Sequence, residues 1–177
     1  WEFGDDADGD YQNEAGELLG EYRYALKGLK VGDMPQTAYV LGATLMPIKG
    51  LRVQALYSIY DNNYADWSPD SRQIDDADDD GVISESELAT ADRVQVWDAP
   101  GYSKMDLHIT YDLPKIAGFN AQLFGHVFNA LDATYVQDAV DNSQYNGFGD
   151  GASHSASRAE VFLGTPRFMN FGLKLHF

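Results

Sequence analysis

Apolar residues recur along much of the chain with a period of two, the period of a strand with one apolar and one polar face. The alternation is clearest in 168–177. There Met169, Phe171, Leu173, Leu175 and Phe177 share one face, and Phe168, Asn170, Gly172, Lys174 and His176 share the other. In 103–113, Met105, Leu107, Ile109, Tyr111 and Leu113 oppose Lys104, Asp106, His108, Thr110 and Asp112. In 50–60, Leu51, Val53, Ala55, Tyr57 and Ile59 oppose Arg52, Gln54 and Ser58. In 118–128, Asn120, Gln122 and His126 share a face with Phe124 and Phe128, and in 37–46 the apolar residues fall on both faces. Each stretch has about the 9–11 residues a tilted strand needs to cross a bilayer. Two weaker stretches, 18–31 and 93–97, read as strand extensions beyond the membrane.

The connections alternate in length. Pro47-Ile48-Lys49 and Leu113-Pro114-Lys115-Ile116-Ala117 are short turns, whereas 61–102 and 132–165 are long. Outer-membrane barrels have short periplasmic turns and long extracellular loops. About eight strands are needed to close a barrel, and lipid does not tolerate open strand edges. The expected fold is therefore all-β: an antiparallel transmembrane β-barrel segment, roughly the last five strands of a larger barrel, with long acidic extracellular loops. The bilayer and the upstream part of the barrel are the expected partners, and the cell outer membrane the expected location.

Charge sharpens the assignment of the loops. Residues 1–17 hold seven acidic residues and no basic ones, and residues 61–100 hold twelve acidic and two basic. These two segments sum to −17 against a net charge of −16, so the rest of the chain is near neutral. Acidic loops repel phosphate, which argues against nucleic-acid binding. They read as solvated loops. The chain has no cysteine, which removes disulfides and thiolate metal sites. No apolar run approaches the length of a membrane helix. No charged-then-apolar leader follows Trp1, so an exported chain is expected to have lost it or to carry it upstream. The aromatics Tyr57, Tyr60, Trp67, Trp97, Tyr102 and Tyr111 lie near strand ends, as an interfacial girdle would. His108, His126, His154 and His176 fall on different strands or loops, and no nucleophile, phosphate-loop or zinc motif occurs. No enzyme is expected.

One motif carries chemistry. Residues 76–87, within the 62–102 loop, fit the twelve-residue EF-hand calcium loop. Asp76, Asp78 and Asp80 take positions 1, 3 and 5, and Gly81 permits the sharp turn at position 6. Val82 supplies a main-chain carbonyl, Ile83 is the apolar residue at position 8, Ser84 takes position 9 and Glu87 is the bidentate ligand at position 12. Calcium takes six to eight hard oxygens, which alternate residues of a tight loop can gather. Ser68-Pro69-Asp70-Ser71 is no entering helix, so this would be half a hand, ordering the loop around Trp67 and Trp97. Asp6-Ala7-Asp8-Gly9-Asp10 with Glu17 is a poorer copy, with Tyr11 at the glycine position.

Asn170-Phe171-Gly172-Leu173-Lys174-Leu175-His176-Phe177 resembles the C-terminal signal of outer-membrane barrels, which the barrel-assembly machinery reads. KGLKVGDMPQT (27–37), YADWSP (64–69), FGHVFNALDATYVQDA (124–139) and AEVFLGTPRFMNFGLKLHF (159–177) resemble, in order and spacing, the end of TonB-dependent receptors. Within them, Asn129-Ala130-Leu131-Asp132 followed by Tyr135 matches the family's turn, and Val161–Arg167 its final loop. The resemblance implies the end of a 22-stranded barrel holding an N-terminal plug, and TonB-energised uptake of a scarce ligand. Neither plug nor TonB box lies in these residues, so TonB would act only through an upstream part. A small passive barrel or adhesin, using 18–31 and 93–97 as membrane strands, or a secreted calcium-binding β-domain are the alternatives.

Overall fold

A computed structural model describes residues 2–3, 5, 7–115, 120–146 and 153–176. Trp1, Asp6, Ile116, Ala117, Gly118, Phe119 and Phe177, which figure in the sequence patterns above, lie outside the described residues. Nearly all regular structure is strand, and the chain divides into two compact units.

The first unit comprises 1–34, 63–99 and 138–161. Its N-terminal hairpin pairs β1 (Ala7–Gln12) with β2 (Leu18–Tyr24). The Asn13 side-chain oxygen closes the turn by accepting the Ala15 and Glu17 N–H groups, both at 2.9 Å. The poorer acidic copy is thus a strand from Ala7 to Gln12 rather than a calcium loop. Segment 18–31 is a strand only to Tyr24 and pairs inside this hairpin, and 93–97 pairs in no sheet. Neither belongs to the five-stranded sheet of the second unit.

The long 61–102 connection is folded rather than merely solvated. Ala25, Ile74 and Ile83 form a buried cluster, with Leu88 and Ala91 packed against it, and Leu29, Ala65, Val96 and Ala139 are also buried. Trp67 belongs to this core rather than to an interfacial girdle. It is 8% exposed, its indole N–H donates to the Lys30 carbonyl at 2.9 Å, and the Arg72 guanidinium sits 5.4 Å from its ring.

The second unit, 35–62, 100–137 and 162–177, holds a five-stranded antiparallel meander. Its order is β3 (Thr37–Leu45), β4 (Leu51–Asp61), β7 (Tyr102–Asp112), β8 (Asn120–Phe128) and β11 (Phe168–His176). Two-residue strands β5 (Asn63–Tyr64) and β6 (Asp98–Ala99) pair with each other, and β9 (Val136–Asp141) pairs with β10 (Ala159–Leu163). The meander does not close: its order ends at β3 and β11.

The register carries one face across the whole meander. Tyr39, Leu41, Ala43 and Leu45 align with Ile59, Tyr57, Ala55 and Val53, and these in turn with Ser103, Met105, Leu107 and Ile109. Leu107, Ile109 and Tyr111 then face Val127, Gly125 and Leu123, which face Met169, Phe171 and Leu173. Among the described residues, the one charged side chain on this face is Asp61, at the end of β4 where the long connection begins. It is also bare: Leu41, Phe171 and Leu173 are 65%, 73% and 55% exposed. Strands that fold around a protein core bury this face; here the long connections hold the buried core and the regular sheet does not.

Close approaches fix two glycines of the sheet. A Cβ on Gly125 would lie 2.7 Å from the Phe171 ring, and one on Gly172 only 2.2 Å from Phe124. Each aromatic thus lies over the glycine directly opposite on the neighbouring strand. The turn after β8 is built by Asn129, which is 3% exposed and left-handed (φ 48°). Its amide donates to the carbonyls of Ala133 (2.9 Å) and Thr165 (3.2 Å), and its oxygen accepts the Ala133 N–H at 3.0 Å. Asp132 accepts the Arg167 N–H at 3.0 Å, and Tyr135 stacks on Tyr102 at 4.2 Å. A Cβ on Gly164 would strike the Tyr135 ring. The Asn-Ala-Leu-Asp…Tyr pattern therefore ties the chain after β8 to the chain before β11.

Candidate cation site in the acidic loop

Residues 76–87 form a tight loop pinned at its middle. Ile83 is buried in the cluster with Ala25 and Ile74, and the Gly81 carbonyl accepts the Glu21 N–H of β2 at 3.0 Å. The turn runs through left-handed residues, Asp79 (φ 56°) and Gly81 (φ 84°). Aspartate tolerates that region modestly and glycine freely. The Asp76 carboxylate closes the turn, accepting the Asp80 N–H at 3.2 Å and the Gly81 N–H at 2.7 Å, while Asp80 accepts the Val82 N–H at 2.8 Å.

These bonds turn three carboxylates inward. One oxygen each of Asp76, Asp78 and Asp80 lies within 4.8 Å of the others, an arrangement able to hold a metal ion. Like charges at that spacing repel, and the Asp80 charge holds the Asp78 carboxyl above its ordinary value.

The remaining template positions are placed otherwise. Ser84 caps the single-turn helix α1 (Glu85–Leu88), and Glu87 completes a capping box with it. The Glu87 carboxylate accepts the Ser84 N–H and hydroxyl, each at 2.7 Å, and the Ala77 N–H at 2.6 Å. Those donors, Ser84 first, hold it below its ordinary value. Glu87 therefore lies outside the convergent group, and Ser84 is engaged with it rather than turned to the aspartates. Val82 is exposed beside the turn. Before the loop, Pro69–Arg72 forms one 3-10 turn and no entering α-helix, and α1 is much shorter than an EF-hand's exiting helix.

The same unit holds a polar network that local sequence patterns do not reveal. His154, 5% exposed, donates from Nδ1 to Asp141 at 2.5 Å and from Nε2 to Asp92 at 2.8 Å. Asp92 also pairs with the buried Arg72 guanidinium at 3.2 Å. Both imidazole nitrogens face ionised acceptors, so both must carry a proton. Burial opposes that charge, but the Asp141 and Asp92 hydrogen bonds outweigh it, and His154 is held above its ordinary value. Asp92 and Asp141 are held below theirs: burial works against them, and backbone Val94 and the His154 ring overcome it at Asp92, His154 and Ser143 at Asp141.

No protein-family model, curated protein or solved structure matches the chain.

Proposed function

We propose that this chain forms the last five strands of the wall of an outer-membrane β-barrel of the TonB-dependent receptor type, with its long connections extracellular and the 76–87 loop ordered by calcium. The observation that carries the reading is the bare apolar face that runs in register over all five strands and is charged only at Asp61, where β4 meets the long connection. Bilayer hydrocarbon is the solvent such a face fits. The two unpaired edges, β3 and β11, call for more strands on either side, supplied by the upstream barrel. The long connections all leave the sheet from one end, as extracellular loops do: Asp61 pairs with Thr37, Tyr102 with Tyr60, and Phe168 with Phe128. A secreted calcium-binding domain would leave the apolar face in water.

On this reading the chain contributes wall and external loops to a ligand importer. Energy coupling and the plug belong to the upstream part, and insertion uses the barrel-assembly machinery acting on β11. The acidic loop suits a hard cation, because its convergent donors are all carboxylate oxygens. Asp76, Asp78 and Asp80 would hold calcium. Glu87, released from Ser84 and Ala77, would complete the shell with the Val82 carbonyl and Ser84.

Because the chain has no cysteine, single cysteines report alone. Placed at Leu41, Leu107 or Leu173 in protein reconstituted in lipid vesicles, they should react with lipid-phase probes and resist aqueous ones. Cysteines at Thr44 or Thr110 should do the reverse. Equal aqueous labelling of both sets, or a soluble monomer without detergent, would overturn the proposal.

A further inference from the structure

The strand register builds a polar row straight across the sheet: Thr44, Gln54, His108, His126 and Asn170, one from each strand. The two histidines, which the sequence places on different strands, stand directly opposite on β7 and β8. Their Nδ1 atoms are 2.7 Å apart, and their rings are inclined at 64°. Phe128 lies 5.8 Å from the His108 ring and 6.0 Å from the His126 ring, and Phe124 lies 5.6 Å from His126. Apolar rings thus border both imidazoles, and the next residues in the row on either side are the amides Gln54 and Asn170.

At 2.7 Å one Nδ1–H donates to the other Nδ1, with the tautomers deciding which. When both rings carry their proton on Nε2, both Nδ1 lone pairs are open, and a metal ion can take the place of the shared proton. Imidazole nitrogens bind first-row ions at about 2.0–2.1 Å. Two of them at right angles on a square-planar ion then lie about 2.9 Å apart, and on a tetrahedral ion about 3.3 Å apart. The observed pair needs to open by only about 0.2 Å for the first and several times more for the second. We infer that His108 and His126 chelate copper(II) or nickel(II) through their Nδ1 atoms on the polar face of the sheet. Water and the amide oxygens of Gln54 or Asn170 fill the remaining positions. The site is chemically distinct from the acidic loop, whose donors are all oxygen, and it rests on register rather than on the membrane reading.

The test is copper(II) titration of the full refolded chain, with calcium in excess to occupy the carboxylates, followed by electron paramagnetic resonance. The wild-type spectrum should show splitting from two imidazole nitrogens at the first equivalent. His108→Gln or His126→Gln should each remove that pattern and weaken binding by at least about tenfold, the lower end of what losing even an orienting partner does to a metal site. The double variant should be no weaker than either single one, because one lost donor already ends chelation. An oxygen-only or single-nitrogen wild-type spectrum would overturn the assignment, as would a two-nitrogen signal that survives in His108→Gln. The wild-type spectrum alone decides if a variant misfolds.

Discussion

Gly172 sits where a single added methyl group has no room. The Phe124 ring occupies the space a Cβ would take, and Phe171 does the same over Gly125, so each ring covers backbone that a larger residue would screen itself. Glycine in a strand gives up packing and backbone entropy; the opposing aromatic returns some of it. Gly172→Val should therefore destabilise the folded sheet by about 1–3 kcal/mol through overpacking. Urea unfolding in lipid is the measurement, and Phe124→Ala placed in the Gly172→Val chain should recover part of the loss. If the two changes simply add, the ring is not the obstacle. The residues of the C-terminal pattern were legible as an alternating strand. What was not legible is why glycine stands at Gly172, because the reason lies on a strand about fifty residues earlier in the chain.

At the scale of the element, the acidic loop shows how far a local template reaches. Asp76, Asp78, Asp80 and Gly81 behave as the spacing requires, since Asx turns and a left-handed glycine are decided within the loop itself. Glu87 does not join them, because the helix it opens offers its carboxylate backbone N–H groups and the Ser84 hydroxyl. Calcium must compete with those bonds, so affinity should sit in the extracellular range of about 10⁻⁴–10⁻³ M. Glu87→Gln removes one ligand charge and should weaken binding about tenfold or more in a calorimetric titration. An unchanged affinity would leave only the three aspartates as ligands. Segment 93–97 failed for a related reason. Val94 is exposed and Val96 buried, an alternation that any extended backbone produces whether or not a ladder pairs with it. The Gln95 side chain accepts the Lys30 N–H instead.

At the scale of the whole molecule, the five membrane-length strands and their one-ended long connections were visible in the sequence, because period and spacing are local properties. The Arg72–Asp92–His154–Asp141 network was not, since its members come from separate connections and Asp92 and His154 stand 62 residues apart. That network predicts a bounded pH range for the first unit. His154 is raised above 6.5, so its contribution is complete below that value and is lost as pH rises through the raised one. Asp92 and Asp141 are lowered below 3.8, so theirs is complete above that value and is lost as pH falls through the lowered ones. The urea midpoint followed by tryptophan fluorescence should be highest between these limits. His154→Gln should flatten the alkaline limb and leave an acid limb. A wild-type midpoint that does not fall on the alkaline side would dismiss the network as a pH-bearing element.

The first unit is assembled from three stretches of chain separated by the strands of the sheet. Closing such a unit from a disordered chain requires joining segments across large loops, and the entropy of that closure opposes it until something else has brought the ends together. Pairing of the meander does this: once β4 lies beside β7 and β8 beside β11, the connections between them are already looped. Maturation on this scheme is sequential. The five-stranded sheet zips first, strand by neighbouring strand, and the buried core around Ala25, Ile74 and Ile83 condenses afterwards. Residues 1–34 and the two long connections therefore stay loose until the sheet that brings their ends together has paired.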